Sequence, residues 1–168
     1  MSTQEPEVRL RKFVEADRPK LDEWARRIDS ARYMSRHTPR VANASAAPDQ
    51  KSRLWWYVIV ADGADVGTVW LEQDHDPDAV VLGILLGDSS LFGHGIGKAA
   101  INLAIKEARR DGRFHVVRLN VRAENVGAVR CYERCGFRIV ASGMRETADK
   151  RFRFLSMEKE LEGRGSAT

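Results

Sequence analysis

Apolar and basic residues alternate through residues 8–14, VRLRKFV, the pattern of a strand with one buried face. After Asp17 the spacing changes. Leu21, Trp24, Ala25 and Ile28 recur at three and four residues, which predicts an amphipathic helix with Pro19 in its first turn. Residues 39–50, PRVANASAAPDQ, are small and polar with two prolines and read as a loop or frayed helix end. The stretch 53–73, RLWWYVIVADGADVGTVWLEQ, reads as two strands around the turn-rich DGAD, a β-hairpin. DHDPD (74–78) makes the next turn, and AVVLGILLG (79–87) is a third, more fully buried strand.

Residues 91–110, LFGHGIGKAAINLAIKEARR, put three glycines within five residues ahead of a helical pattern. Ala100, Ile101, Ala104, Ile105 and Ala108 share one face; Lys106, Arg109 and Arg110 lie on the other or near the C-terminus, where positive charge suits the helix dipole. Asp111-Gly112 ends this helix. HVVRLNVRA (115–123) is another alternating strand, and ENVGAVRCYERCGF (124–137) a second helix, capped by Asn125 and ended by Gly136. FRIVAS and FRFLSMEKEL supply two closing strands. The order is strand, one or two helices, three strands, helix, strand, helix, two strands. That is an α+β meander leading into one β–α–β step, not a doubly wound sheet. No repeat or boundary divides it, so a single domain is expected over 1–162, with 163–168 a disordered tail.

Composition narrows the class. The 168 residues are 43% hydrophobic and 31% charged, as in a soluble globular chain. No apolar run approaches the roughly 20 residues of a membrane span, and MSTQEPEVRL lacks a signal-peptide core, so a cytoplasmic protein without a membrane partner is expected. The two cysteines, Cys131 and Cys135, have no second pair to complete a metal site and read as free thiols. A net charge of +4 comes mostly from scattered arginines. Without a clustered Lys/Arg stripe, nucleic-acid binding is disfavoured.

The glycines can be tested against phosphate-binding templates. A Walker A loop would need Gly at 92 and a hydroxyl at 99, where the chain has Phe92 and Ala99. The dinucleotide fingerprint can be laid on Gly95, Gly97 and Ala100, but four residues separate the preceding strand from the glycines, and the acidic residue expected about 20 positions later is missing. A third template fits. LGILLGDSSLFGHGIGKAAINLAI followed by LNVRAENVGAVRCYERCGF resembles the GCN5-related N-acetyltransferase (GNAT) superfamily. Gly95 and Gly97 fill its phosphate loop, with Phe92 where Gln or Arg is usual. Asn125, Ala128, Tyr132, Gly136 and Phe137 fill its second motif, N-x-x-A-x-x-x-Y-x-x-x-G-F.

The resemblance implies a mostly antiparallel mixed sheet of six to seven strands flanked by about four helices, with a central splay between the fourth and fifth strands. It implies acetyl-CoA as co-substrate, an amine as acceptor, no metal, and a homodimer as a family-level expectation. Backbone groups of Leu85, Leu86 and Gly87 would pair with pantetheine in the splay. Backbone amides of Gly93, His94, Gly95, Ile96, Gly97 and Lys98 would wrap the pyrophosphate, because side chains at 93, 95 and 97 would block its approach. His94 and Lys98 would add charge at the rim. Asn125 doubles as helix cap and ligand contact.

Tyr132 stands at the family's general-acid position. A phenol near pKa 10 is protonated at neutral pH and can donate to a leaving thiolate near 8.5 with a mismatch of ~2 kcal/mol. Its other reading is an ordinary aromatic on the helix's core face. Deprotonating an alkylamine near pKa 10.4 costs ~4.6 kcal/mol at neutral pH, whereas an α-amine near 7.8 costs ~1 kcal/mol. An alkylamine acceptor therefore calls for a base. Glu72 is the candidate, against the alternative of a solvated strand face; Val81 stands where many relatives carry a glutamate. Trp55, Trp56 and Tyr57 are candidates for the acceptor pocket, although alternation sends at least one ring to the core. The acidic cluster EQDHDPD suits a cation or a plain hairpin turn. The expected activity is acetyl transfer to a primary amine of a small molecule, peptide or protein. The alternative is a catalytically weak acyl-CoA-binding regulatory or partner module, favoured by Phe92 and Val81.

Overall fold

The computed structural model describes residues 4–28, 38–40 and 53–162. Seven strands, β1 (Val8–Lys12), β2 (Leu54–Ala61), β3 (Ala64–Gln73), β4 (Ala79–Leu86), β5 (Val116–Arg122), β6 (Arg138–Glu146) and β7 (Arg151–Glu160), form one mixed sheet in the order β1-β2-β3-β4-β5-β7-β6. Every pairing is antiparallel except β4 with β5. Three α-helices flank the sheet among the described residues, α1 (Arg18–Arg27), α2 (Ile96–Asp111) and α3 (Val126–Arg134), where about four were expected. The tail at 163–168 and residues 41–50 of the expected loop lie outside the described residues.

Alternation decides which face of the sheet meets which helix. Ile59, Val69, Leu71, Val80, Leu82, Val117 and Leu119 point to one side and enclose a core with Ala100, Ile101, Ala104, Ile105 and Ala108 of α2. The three alanines let the helix approach closely, while each buried isoleucine contributes about 1.5–3 kcal/mol. Val58 and Leu85 point to the other side and pack on Leu21, Trp24 and Ala25 of α1. Between β2 and β3, Asp62 (φ 49°) and Gly63 (φ 81°) both occupy the left-handed region, the type I′ geometry whose twist matches a hairpin.

The corner between β1 and α1 is held by charge. Asp17, 3% exposed, accepts from both terminal nitrogens of Arg11 at 2.8 and 2.9 Å and from the Val14 N–H at 2.9 Å. Lys20 and Arg11 both reach Asp65 at 2.7 Å. Hydrogen bonds from Arg11 hold the Asp17 carboxyl well below its ordinary value of 3.8. A carboxylate depressed in the folded state contributes stability that is complete above about pH 5 and lost as pH falls below about pH 4. Asp17→Ala is expected to cost about 2–3 kcal/mol. It should also flatten the acid limb of a Tm-against-pH curve; an unaltered limb would remove Asp17 from the account.

Candidate active site

β4 and β5 pair over only three positions, Ala79–Val81 with Val116–Arg118. Beyond them the strands diverge, which is the expected splay. β4 keeps its pairing with β3 as far as Leu86, and β5 keeps its pairing with β7 as far as Arg122, so only the facing edges lose partners. Which groups face the gap follows from strand parity. The Ala79 C=O accepts from Asp74 N–H at 3.1 Å and the Gly87 N–H donates to Val66 C=O at 2.8 Å. Odd-numbered residues of β4 therefore turn their backbone to β3, and Ile84 and Leu86 turn theirs to the gap. Of Leu85, Leu86 and Gly87, only Leu86 presents its backbone there. Leu85 buries its side chain against α1, and a Cβ at Gly87 would lie 2.1 Å from the Trp24 ring. Ile84, which the sequence reading did not single out, turns its backbone to the gap as Leu86 does.

The glycine loop lies at the mouth of this gap. Gly93 (φ 80°) and Gly95 (φ 82°) are left-handed, and a Cβ at either would meet nothing within 4 Å. The space above both is open, so the glycines serve a turn and leave an approach clear. Gly95 caps α2, which starts at Ile96. The first intrahelical bond runs from Ala99 N–H to Gly95 C=O at 3.0 Å, leaving the amides of Ile96, Gly97 and Lys98 at the positive end of the dipole. A Cβ at Gly97 would lie 3.3 Å from Cys131 Sγ. Phe92, 51% exposed, stands at the rim in place of a polar side chain.

One cavity of about 960 Å³ connects the loop and the gap. Leu85, Leu86, Gly93, Gly95, Gly97 and Lys98 line it, as do Asn125 and Tyr132. Gly87, His94, Ile96 and Glu72 are not part of its wall, and the Ile96 side chain is buried in the core. The Asn125 side chain accepts from Ala128 N–H at 3.3 Å, capping α3 as expected.

Tyr132 projects from the middle of α3, its ring 6.0 Å edge-on from Phe137. Its hydroxyl makes no hydrogen bond among the described residues. Burial, and then the neighbouring Cys131 and Cys135, push its phenol well above the ordinary value of 10. Raised in this way, the phenol stays protonated at neutral pH. A hydrogen bond from Cys135, then the charges of Arg134 and Lys98, bring the Cys131 thiol down to about 7, while Cys135 moves up. Both thiols are free. No cluster of three or more metal-ligating side chains occurs among the described residues, and no helix among them is long and apolar enough to cross a membrane.

The opposite wall is built from the α1 face of the sheet. Trp70 and Glu72 share that face of β3, and Asp74 follows directly after the strand ends at Gln73. Glu72 is 3% exposed, between Leu54 and Val81, whereas Asp74 reaches the cavity. The Trp70 ring lies on Gly83, where a Cβ would be 2.0 Å from the indole, and its buried N–H has no acceptor among the described residues. Arg118 gathers Glu158 at 2.8 Å, Asp74 at 2.9 Å and Asp76 at 3.4 Å. Asn120 accepts from Ser156 at 2.7 Å. Trp55, Trp56 and Tyr57 are absent from this wall. Trp55 packs beside Phe114, and Trp56 stacks on Phe13 and donates to Thr68 at 2.8 Å.

The arrangement offers a gap for an extended ligand, amides for an anion at one end, a phenol beside the gap and carboxylates across from it. Comparison with known proteins is consistent with that chemistry. The model of the acetyltransferase (GNAT) domain matches residues 7–138. An uncharacterised N-acetyltransferase of Methanocaldococcus jannaschii is 34% identical over 87 residues, 49% of this chain and 38% of that protein, so the chain spans well under half of its length. The aminoglycoside N(6')-acetyltransferase type 1 of Klebsiella pneumoniae is 22% identical over 147 residues, covering 77% of this chain and 73% of that one. Among solved structures, aminoglycoside acetyltransferase AAC(6')-Ib in complex with coenzyme A superposes with a TM-score of 0.69 at 20% identity, over 92% of this chain and 95% of that one. This last is a likeness of fold.

Proposed function

This chain belongs to the GNAT acetyltransferase family, and from that premise we propose that it transfers the acetyl group of acetyl-CoA directly to a primary amine. The observation that carries the reading is the divergence of β4 from β5 after Val81, with a glycine-opened helix at its mouth. An extended amide chain lying in the gap would pair with the freed backbone of Ile84 and Leu86, which has no strand partner on that side. The amides of Ile96, Gly97 and Lys98, with the Lys98 ammonium, would hold a diphosphate.

Within that pose Tyr132 donates a proton to the departing thiolate. The amine's proton leaves on the carboxylate side, with Asp74 at the wall and Glu72 two residues before it, inside β3. Asn125 fixes the start of α3 and so the position of the phenol. The two free thiols suit a reducing, cytoplasmic setting.

The test is release of free thiol from acetyl-CoA on addition of amines. Thiol and N-acetylated product are expected in equal amounts, and the rate should fall on the acid side as the accepting carboxylate and the amine become protonated. Tight acetyl-CoA binding with no thiol released by any amine would leave a binding module instead of an enzyme.

A further inference from the structure

Gly127, Arg130, Cys131 and Arg134 line the cavity from one stripe of α3. Their spacing of three and four residues sets them one above the other on the helix. The stripe flanks the glycine-opened mouth of α2, because a Cβ at Gly97 would lie 3.3 Å from Cys131 Sγ. The charges of Arg134 and Lys98 both bear on that thiol, so the two cations stand at the same mouth. A Cβ at Gly127 would meet nothing within 4 Å, which leaves the approach over the stripe open. Arg130 and Arg134 are exposed and make no hydrogen bond or ion pair among the described residues. Other arginines of the wall are engaged. Arg118 is taken up by Asp74, Asp76 and Glu158, and Arg122 and Arg145 lie over the Phe152 and Phe154 rings at 4.1 and 5.0 Å.

Two guanidiniums four residues apart on an exposed helix face spring from Cβ atoms about 5–6 Å apart, and each presents a planar fork of N–H donors. With both forks uncommitted, they suit a compact anion with several terminal oxygens, above all a phosphate monoester. The cofactor supplies one. Acetyl-CoA carries a diphosphate between pantetheine and adenosine, and a separate monoester phosphate on the 3′ oxygen of its ribose. With pantetheine directed inward along Ile84 and Leu86 and the diphosphate at the amides of Ile96, Gly97 and Lys98, the ribose is left at the mouth, where α3 presents its arginines. Resting on the proposed binding of acetyl-CoA, we infer that Arg130 and Arg134 bind the 3′-phosphate of the cofactor, so that the chain selects coenzyme A over its 3′-dephosphorylated form. The two arginines thereby add specificity at the adenosine end of the ligand, without touching the reacting atoms.

Calorimetry with acetyl-CoA and with 3′-dephospho-acetyl-CoA tests this, because both ligands keep the diphosphate. The parent chain is expected to bind acetyl-CoA roughly tenfold or more tightly, the difference typical of a charge-assisted hydrogen bond. In the double variant Arg130→Gln, Arg134→Gln the ratio should fall toward one, through weaker acetyl-CoA binding at unchanged affinity for the dephospho form. Each single variant should fall between. Glutamine has nearly the helix propensity of arginine, so α3 should persist and far-UV circular dichroism should match the parent. Arg110→Gln, at the far end of α2 and outside the cavity wall, should retain the parent ratio. A ratio near one in the parent, a ratio unmoved by the double variant or lowered as much by Arg110→Gln, or equal weakening of both ligands would overturn the inference while leaving acetyl-CoA binding intact. Binding of neither ligand would discard the inference together with the reading it rests on.

Discussion

The Gly95→Val variant is expected to bind acetyl-CoA roughly a hundredfold more weakly than the parent chain, or worse. Two effects combine. Position 95 holds φ 82° with open space above it, so a β-branched side chain is strained there by about 1–3 kcal/mol and projects where a diphosphate would lie. Two charge-assisted hydrogen bonds lost from the helix-mouth amides amount to about 3–6 kcal/mol, and each 1.4 kcal/mol is about tenfold in affinity. The strain falls in a surface loop, not in the core formed by Ile101 and Ile105, so the seven-stranded sheet should persist and far-UV circular dichroism should match the parent. Calorimetry checks the binding loss. Unchanged affinity in a folded variant would mean that the phosphates lie elsewhere.

Tyr132→Phe should lower turnover at least about tenfold, within the range that a positioned general acid supplies, with little change in acetyl-CoA affinity. The ring fills the same space against Phe137, so packing is kept and only the proton donor is lost. The raised phenol pKa adds a signature. A group whose pKa is pushed up stays protonated to higher pH, so parent turnover should show no fall from tyrosine ionisation up to about pH 10. Stopped assays over that range read both effects. Parent-like turnover in Tyr132→Phe would remove the phenol from the chemistry and leave it a packing residue.

Strands with one buried face were legible because alternation survives in sequence. VRLRKFV and HVVRLNVRA each gave a strand within two residues of its ends. The glycine loop and α3 were legible for another reason: several positions at fixed spacing serve one short element. The α1-side wall of the cavity carries no such signal. Arg122, Arg145, Phe152 and Phe154 come from three strands, and their meeting depends on registers, including the irregularity between Ile139 and Ala141, that no local pattern encodes. The same limit explains the tryptophans. Alternation said that at least one ring of Trp55, Trp56 and Tyr57 must turn inward, but only the packing of Phe13 and Phe114 takes both tryptophans from the cavity. Glu72 lies in β3 and Asp74 one residue past its end. Only the point where β3 leaves the sheet, after Gln73, decides that Asp74 reaches the wall.

The most direct measurement is a calorimetric titration of the unaltered chain with acetyl-CoA, followed by amide hydrogen exchange on the saturated protein. Saturable one-to-one binding is expected, with slowed exchange at Ile84 and Leu86 of the open β4 edge and at Ile96, Gly97 and Lys98 of the helix mouth. Absence of heat at millimolar ligand, or protection confined to other elements, would contradict the account.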